Sequence, residues 1–423
     1  MLSRILTPEN FKSFVSNSQR MEQVVSRRSS YDNEEDKSSE KLVLRMNVID
    51  LFRNSPRAND LRNHNSVHSN TVMRNTLCSL LLKNVFDLDV ETGVNLLEKQ
   101  IVSVTPDGNS LRDSEDKLFG PYDLIVGGDG VNSCVADYVS NTSNQQKIYS
   151  GIKIKYAVAK NEGGNLRPNV SSSRGVLAAN ELHQFFGRGG YALTGTYGEY
   201  DMGAIIFADD EFVGPFRVKN LFGNKGGGAE ENTQWAESLS TAAKSQSQQF
   251  IELAKLAQIP LREGVQQIAE SADSFFELAV YFRNPFQKWS RERVVLIGDA
   301  AHASPPFLGQ GANQALQDSF LLAKVIEKFN KNEDGGRDFT ALFDQAVAER
   351  KFFTTGLTLK ALFLGYLEVG YNPLLSRFRD GFFFLAGKIG LAKKVFLDGA
   401  TPVPALDTVV QGVVEEEGSE NKN

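Results

Sequence analysis

The sequence predicts an α/β protein in which parallel-type strands ending in glycine and an acid flank a mainly antiparallel stretch and are followed by helices. Three observations carry that expectation. Residues Arg293 to Ile326 pass from an apolar strand through an acidic residue and a glycine turn into a helical pattern. A second strand, Tyr122 to Val126, also runs into glycine and an acid, at Gly127-Gly128-Asp129-Gly130. Between the two, residues 150–285 change texture to short strand-like runs separated by Gly, Asn and Ser.

The stretch from Arg293 is the most informative. Val294, Val295, Leu296 and Ile297 read as a buried strand, and Gly298-Asp299 ends it with a carboxylate at its edge. Ser304, Pro305, Pro306, Gly309 and Gly311 make a turn. Small or apolar residues at Ala312, Ala315, Leu316, Ser319, Leu322, Ala323 and Ile326 then recur at a spacing of three or four, which is helical. A carboxylate can accept from a ribose hydroxyl, while the free N–H groups and dipole of a helix start favour negative charge. The stretch suits a large anionic cofactor.

GDAAHASPPFLGQGANQALQD, within that stretch, closely resembles the second flavin-binding motif of the class A flavoprotein monooxygenases, the para-hydroxybenzoate hydroxylase family. The resemblance implies a Rossmann-like FAD-binding domain, an inserted substrate domain and a helical C-terminal region. It implies that Gly298 and Asp299 belong to the cofactor site, with Asp299 holding FAD ribose hydroxyls, and that Pro306 and Gly309 shape the loop beside the ring. Backbone N–H groups at Gly311, Ala312 and Asn313 are implied to stabilise charge on the reduced ring. His302 is expected to be a buried, hydrogen-bonded member of the motif rather than a base.

From the start of the chain, residues 1–70 contain no glycine. The family opens with strand, GxGxxG and helix, where glycines admit the pyrophosphate; the expectation is an incomplete N-terminus lacking the first βαβ unit, and little flavin retained by this chain alone. Gly187 to Ala192 formally fits GxGxxA, but strand-like residues follow it, so it reads as a β-turn. Residues 17–40 are polar and charged and read as a loop, and Lys41 to Ile49 alternates like a strand. Asn70 to Leu82 reads as an amphipathic helix, and Arg74 matches the family's arginine near the flavin. Residues 94–127 are β-rich around the turn signal Asp107-Gly108. Asp129-Gly130 with Asn132-Ser133 resembles the family's DG motif. Gly128 stands where Ala is common, and Ala136 where an Arg is usual.

Within the inserted domain KIKYAVA, GYALTGTY and MGAIIFA read as strands, Gly223 to Gly228 as a linker, and Thr233 to Leu256 as helical. Phe275 to Trp289 returns to the cofactor domain, with Trp289 at the family's usual Trp. Ala341 to Arg350 resembles the helix whose Arg closes the FAD domain. Residues 357–396 are rich in Phe and Leu with interspersed Arg and Lys, which suits a helical pair packed on the core or a peripheral membrane contact. The tail is acidic. The expected division is 1–150 and 286–350 for the FAD-binding domain, 151–285 for the substrate domain, 351–410 for the C-terminal helices and 411–423 for the tail.

At 423 residues the chain can form more than one domain. A net charge of −6 argues against general nucleic-acid binding. Two cysteines, Cys78 and Cys134, and four scattered histidines suggest neither a disulfide framework nor a metal site. No eighteen-residue apolar run occurs, so no transmembrane segment is expected, and the N-terminus lacks the apolar core of a secretory signal.

The resemblance therefore implies an FAD-dependent monooxygenase. It would use NAD(P)H as reductant and O2 to hydroxylate an aromatic or other small organic molecule through a flavin C4a-hydroperoxide. Two alternatives stand beside it: a carotenoid or isoprenoid epoxidase of the same family, and a truncated, non-catalytic fragment unable to hold FAD. No residue is singled out as catalytic.

Overall fold

The computed structural model describes residues 2–29, 40–48, 50, 69–88, 93–141, 147–160, 180–197, 201–210, 246–259, 263–331, 338–370 and 373–391. Helices α1 (Leu2–Ile5) and α2 (Pro8–Ser16) come first. Thr7 caps α2 by accepting from the Asn10 N–H, with Pro8 at the position where a missing N–H costs nothing. Strands β1 (Gln19–Met21), β2 (Gln23–Ser29), β3 (Glu40–Asn47) and β4 (Ser69–Thr71) lead to α3 (Arg74–Leu88).

A small antiparallel sheet, β5 (Ile101–Val104), β6 (Leu111–Asp113) and β7 (Leu118–Phe119), precedes β8 (Ile125–Gly127) and α4 (Cys134–Ser140). The inserted region supplies β9 (Lys147–Ala159), β10 (Glu181–Phe186), β11 (Gly190–Tyr197), β12 (Asp201–Asp209), α5 (Gln246–Leu256), α6 (Glu263–Ser271) and β13 (Ser274–Arg283). The chain then returns through β14 (Ser290–Arg291), β15 (Val294–Leu296), α7 (Asp299–His302) and a 3-10 turn (Pro306–Leu308) to α8 (Gly311–Asn330). Helices α9 (Phe339–Val369) and α10 (Pro373–Lys388) follow.

Two sheets organise the molecule. The cofactor-side sheet runs β14-β15-β8, with β15 and β8 parallel through Val295 opposite Val126. Val294, Val295 and Leu296 are fully enclosed, and their core continues into Leu321, Leu322 and Val325 of α8 and Phe343 and Val347 of α9. The larger sheet has the order β13-β9-β12-β11-β10-β2-β3 and is antiparallel except where β10 meets β2. Its strands alternate between two buried faces. Ala157, Ala192, Ala204 and Ile206 point to α5 and α6, where Phe250 and Ile268 are buried. Their small side chains let those helices lie close; burying Phe250 alone is worth about 1.5–3 kcal/mol. Ile154, Tyr191 and Phe207 point the other way, toward Leu367 and Val369 of α9 and Phe383 of α10.

Several expectations need correction. Residues 19–29, read as part of a polar loop, form β1 and β2, because Val24 and Val25 are buried against neighbouring strands and clusters. β2 and β3 belong to the large sheet, so that sheet draws on residues 23–47 as well as on the inserted region. The helix expected at Asn70 runs instead from Arg74 to Leu88, since Ser69–Thr71 pairs with β1. In β8 Ile125 and Gly127 are buried while Val126 between them, expected to be buried, is exposed, so the strand has one covered face.

The helical segments expected near 341–350 and 357 are one helix, α9, capped by Asp338 and ended by Gly370 at φ 56°. Among the described residues α9 is long and apolar enough to cross a membrane by length and composition, yet nearly half of its apolar stretch is buried inside the protein. Thr354, Thr355, Thr358, Lys360 and Glu368 interrupt its apolar run. The GxGxxA match is the β10–β11 turn. His64, His68, Gly223 to Gly228, Lys393, Lys394 and the tail lie outside the described residues.

Candidate functional site: a flavin-ring cradle

The cradle begins where β15 stops. Gly298 takes φ 57° and ψ −141°, a region closed to residues with a Cβ. An added Cβ would also lie 3.1 Å from the Ala315 Cβ, so glycine is what lets α8 approach. Asp299 follows, exposed, as the first residue of α7. Its Oδ1 lies 3.7 Å from where a Cβ on Gly311 would stand, which sets the carboxylate against the start of α8.

Gly309, at φ 62°, closes the 3-10 turn after Pro306, and no atom of the described residues lies within 4 Å of where its Cβ would stand. Among the described residues no side chain caps the α8 N-terminus, so first-turn N–H groups at Gly311, Ala312 and Asn313 have no side-chain acceptor there, and Ala312 and Asn313 are exposed. Gly298, Asp299, Pro306, Gly309, Gly311, Ala312 and Asn313 therefore belong to one turn-and-helix unit. A carboxylate, free N–H groups, a helix dipole and open space fit the ring and ribityl end of FAD.

Behind the cradle lies a buried polar lock. Asp318 on α8 accepts from the Gly298 N–H at 2.8 Å, from His302 Nε2 at 2.6 Å and from Arg350 Nε at 2.6 Å. Arg350, fully buried on α9, also donates to Gln317 at 2.7 Å and to the Gln314 side chain at 3.0 Å. Burial pushes the Asp318 carboxyl up, but His302, Arg350 and the Gly298 N–H outweigh it and hold the carboxyl below its ordinary value. Trp289 packs on the His302 ring at 4.9 Å. His302 is thus consumed in holding the motif, with its Nε2 as the donor. Gln314 and Gln317 went unnoticed in the sequence; their signal is polar residues beside Asp318 on the helix face that otherwise buries Leu321 and Val325.

Asp129 and Gly130 lie at the carboxyl end of β8, whose Gly127 carbonyl accepts from the Ile297 N–H at 3.0 Å beside the cradle. Asp129 accepts from the Ser133 hydroxyl and from the Cys134 N–H at 2.9 Å, while Ser133 itself caps α4 by accepting from the Ala136 N–H at 2.9 Å. Arg283, almost fully buried, donates to the Val131 carbonyl at 2.9 Å, and Lys147 donates to the Asn132 side chain at 2.7 Å. Those two cations hold the loop, while Ala136 is buried in α4. Arg74 is exposed at the head of α3, which packs on α2; among the described residues nothing ties it to the cradle. No group of three or more His, Cys, Asp or Glu among the described residues is placed to hold a metal.

The large sheet presents its second face near the loop. Phe276, Tyr156, Ile205 and Leu193 stand opposite one another across β13, β9, β12 and β11 and are incompletely buried. One row over, Tyr191 stacks on Phe207 at 4.6 Å, and Phe307 of the 3-10 turn tilts against both, at 6.2 Å and 5.4 Å. Phe307 also presses on Gly365 of α9, where any Cβ would collide with its ring. Beneath lies Glu368, buried, hydrogen-bonded to the Tyr191 hydroxyl, with Oε2 unpartnered among the described residues. Burial pushes its carboxyl up to about 8 despite Tyr191 and Arg379. The sequence reading passed over this acid, although a lone Glu in ALFLGYLEVG is a visible oddity.

A parallel strand pair with an acidic strand end, a glycine turn and a helix start, beside a large second sheet, is the architecture with which known proteins can be compared. Residues 230–360 match the family model described as FAD binding domain. The chain is 31% identical over 125 residues to chloroplastic zeaxanthin epoxidase of Capsicum annuum, covering 26% of this chain and 19% of that protein. It is 34% identical over 79 residues to 6-hydroxynicotinate 3-monooxygenase of Bordetella bronchiseptica, covering 19% of each.

Klebsiella pneumoniae HpxO, solved with FAD and uric acid, superimposes with a TM-score of 0.63 at 16% identity, over 90% of this chain and 82% of that one. That likeness establishes the fold. Residues 230–360 therefore carry an FAD binding domain match within a chain that has the fold of FAD-dependent monooxygenases. Its matches span about a fifth of the length of these curated relatives.

Proposed function

We propose that this protein is an FAD-dependent oxidoreductase that uses NAD(P)H and O2 to insert one oxygen atom into a small organic substrate. The observation that carries the reading is the Gly298–Asn313 cradle, with Asp299 and the uncapped α8 start facing the same open space. Bound FAD supplies the electron-transfer and oxygen chemistry. The chain's own residues bind, orient and enclose. Asp299 accepts from ribityl or ribose hydroxyls. The N–H groups of Gly311, Ala312 and Asn313 stabilise negative charge on the ring, and Pro306 and Gly309 set the loop beside it. Arg74, Asp129 and Gly130 serve the remainder of the cofactor, the last two from the loop that Arg283 anchors.

The substrate lies against the Tyr156, Ile205 and Leu193 row, which excludes water from the reacting face. A phenolic or other aromatic acid is the first substrate class. Epoxidation of an isoprenoid is the second reading, favoured by that apolar row and by the similarity to zeaxanthin epoxidase. An apolar substrate also gives meaning to a peripheral membrane contact through residues 357–396. The test is oxygen uptake by the FAD-supplemented chain with NADH or NADPH, using aromatic acids and isoprenoids in parallel. Uptake stimulated by one class supports the reading and selects the substrate; a chain that takes up FAD yet oxidises neither nicotinamide with either class present overturns it.

A further inference from the structure

We propose that the outer face of α9 and α10 docks this protein on an anionic lipid bilayer. Leu359 and Phe363 stand four residues apart on α9. Leu374, Phe378 and Leu385 recur at helical spacing on α10, and Ile389 extends that stripe just past its end. All six are more than half exposed. Phe382 joins the two stripes, its ring 6.1 Å from Phe363 and 6.3 Å from Phe378. The result is one continuous apolar surface across two helices whose opposite sides already carry the protein's core. Surfaces of that kind mark an interaction site.

The charge around it selects the occupant. Lys360, Arg377 and Lys388 are exposed beside the stripes. The acids of the same segment are used elsewhere: Asp380 pairs with Arg28 and Arg379, and Glu368 is buried. The face is therefore cationic on a chain of net charge −6, which an anionic membrane would repel from other directions. A second copy fits poorly, because a two-fold contact would set this basic rim against itself. An apolar face with a basic margin fits a lipid interface, where rings and aliphatic chains enter the headgroup boundary. On its inner side α9 seats Phe307 of the motif loop through Gly365, so docking would hold the cradle next to the bilayer.

The inference names the partner of the contact proposed above, and it is tested without flavin or turnover, so the two readings fail separately. The full chain is sedimented with phosphatidylcholine vesicles and with vesicles that also contain phosphatidylglycerol. Binding is expected to favour the anionic vesicles and to weaken with salt. Replacing Phe363→Ser together with Phe378→Ser should lower partitioning more than about tenfold while the chain stays folded with a modestly lower melting temperature, since both rings are more than half exposed but touch Phe382. Arg377→Glu with Lys388→Glu should abolish the preference for anionic vesicles. No sedimentation with either vesicle, equal binding by the double Phe variant, or a dimer in solution that the same variant dissolves would overturn the proposal.

Discussion

Two buried carboxyls flank the motif loop, and their surroundings treat them in opposite ways. Asp318 is saturated by an arginine, a histidine and a backbone N–H and is held ionised. Glu368 has one tyrosine hydroxyl, an unpartnered oxygen and aromatic neighbours, and burial holds it protonated. The difference teaches what each does. Asp318 is a structural tie that fixes Gly298 and His302 on α8 and α9. Glu368 is a neutral acid left in an apolar layer beneath Phe307, on the side of the large sheet that faces the cradle.

The largest expected effect breaks the first member of that pair. Arg350→Met leaves Asp318 buried without its main cation and should cost about 3–5 kcal/mol in a denaturant melt. The Asp318 contribution is present above its ordinary value of 3.8 and is lost as pH falls through its lower folded value, so this cost should shrink in acid.

Glu368 has the reverse sign. Its folded value of about 8 lies above the ordinary 4.5, so the stability its protonated form provides is complete below 4.5 and is lost as pH rises to about 8. Glu368→Gln should therefore melt higher than the native chain at about pH 9, by roughly 3–5 kcal/mol, with the gap closing toward pH 5. A gap that is constant with pH would show that Glu368 ionises normally.

Gly365→Ala is smaller in expected effect. Its methyl must displace Phe307, at about 1–3 kcal/mol, and should also weaken flavin uptake because the loop moves with the ring. Loss of stability with unaltered flavin uptake would separate α9 from the loop. Asp299→Ala is the smallest for stability, within about 0.5 kcal/mol, since the side chain is exposed.

The cradle was legible in the sequence because its parts are local. Strand, Gly298, Asp299, the turn and α8 are contiguous, and each rests on a short-range rule of backbone geometry or periodicity. His302 as a buried motif member and Arg350 as the closing residue were legible through the family pattern. The partners were not, because Arg350 meets Asp318 across 32 positions of sequence. Glu368 and Tyr191, far apart in the chain, meet only because β11 packs on α9. β1 and β2 were hidden inside a charged stretch, since their pairing with β4 and β10 is set by distant strands. The tie between Arg283 and the Val131 carbonyl was hidden for the same reason.

The central claim is that the Gly298–Asn313 unit is a working half of a flavin site. The most direct test titrates FAD into the purified full chain, following quenching of flavin fluorescence, for the native sequence and for Asp299→Ala. The account predicts saturable quenching by the native chain, and about tenfold weaker binding by a variant whose melting temperature is unchanged, the size expected of one lost charge-assisted hydrogen bond. Equal affinity for both proteins, or no quenching by the native chain, would contradict it.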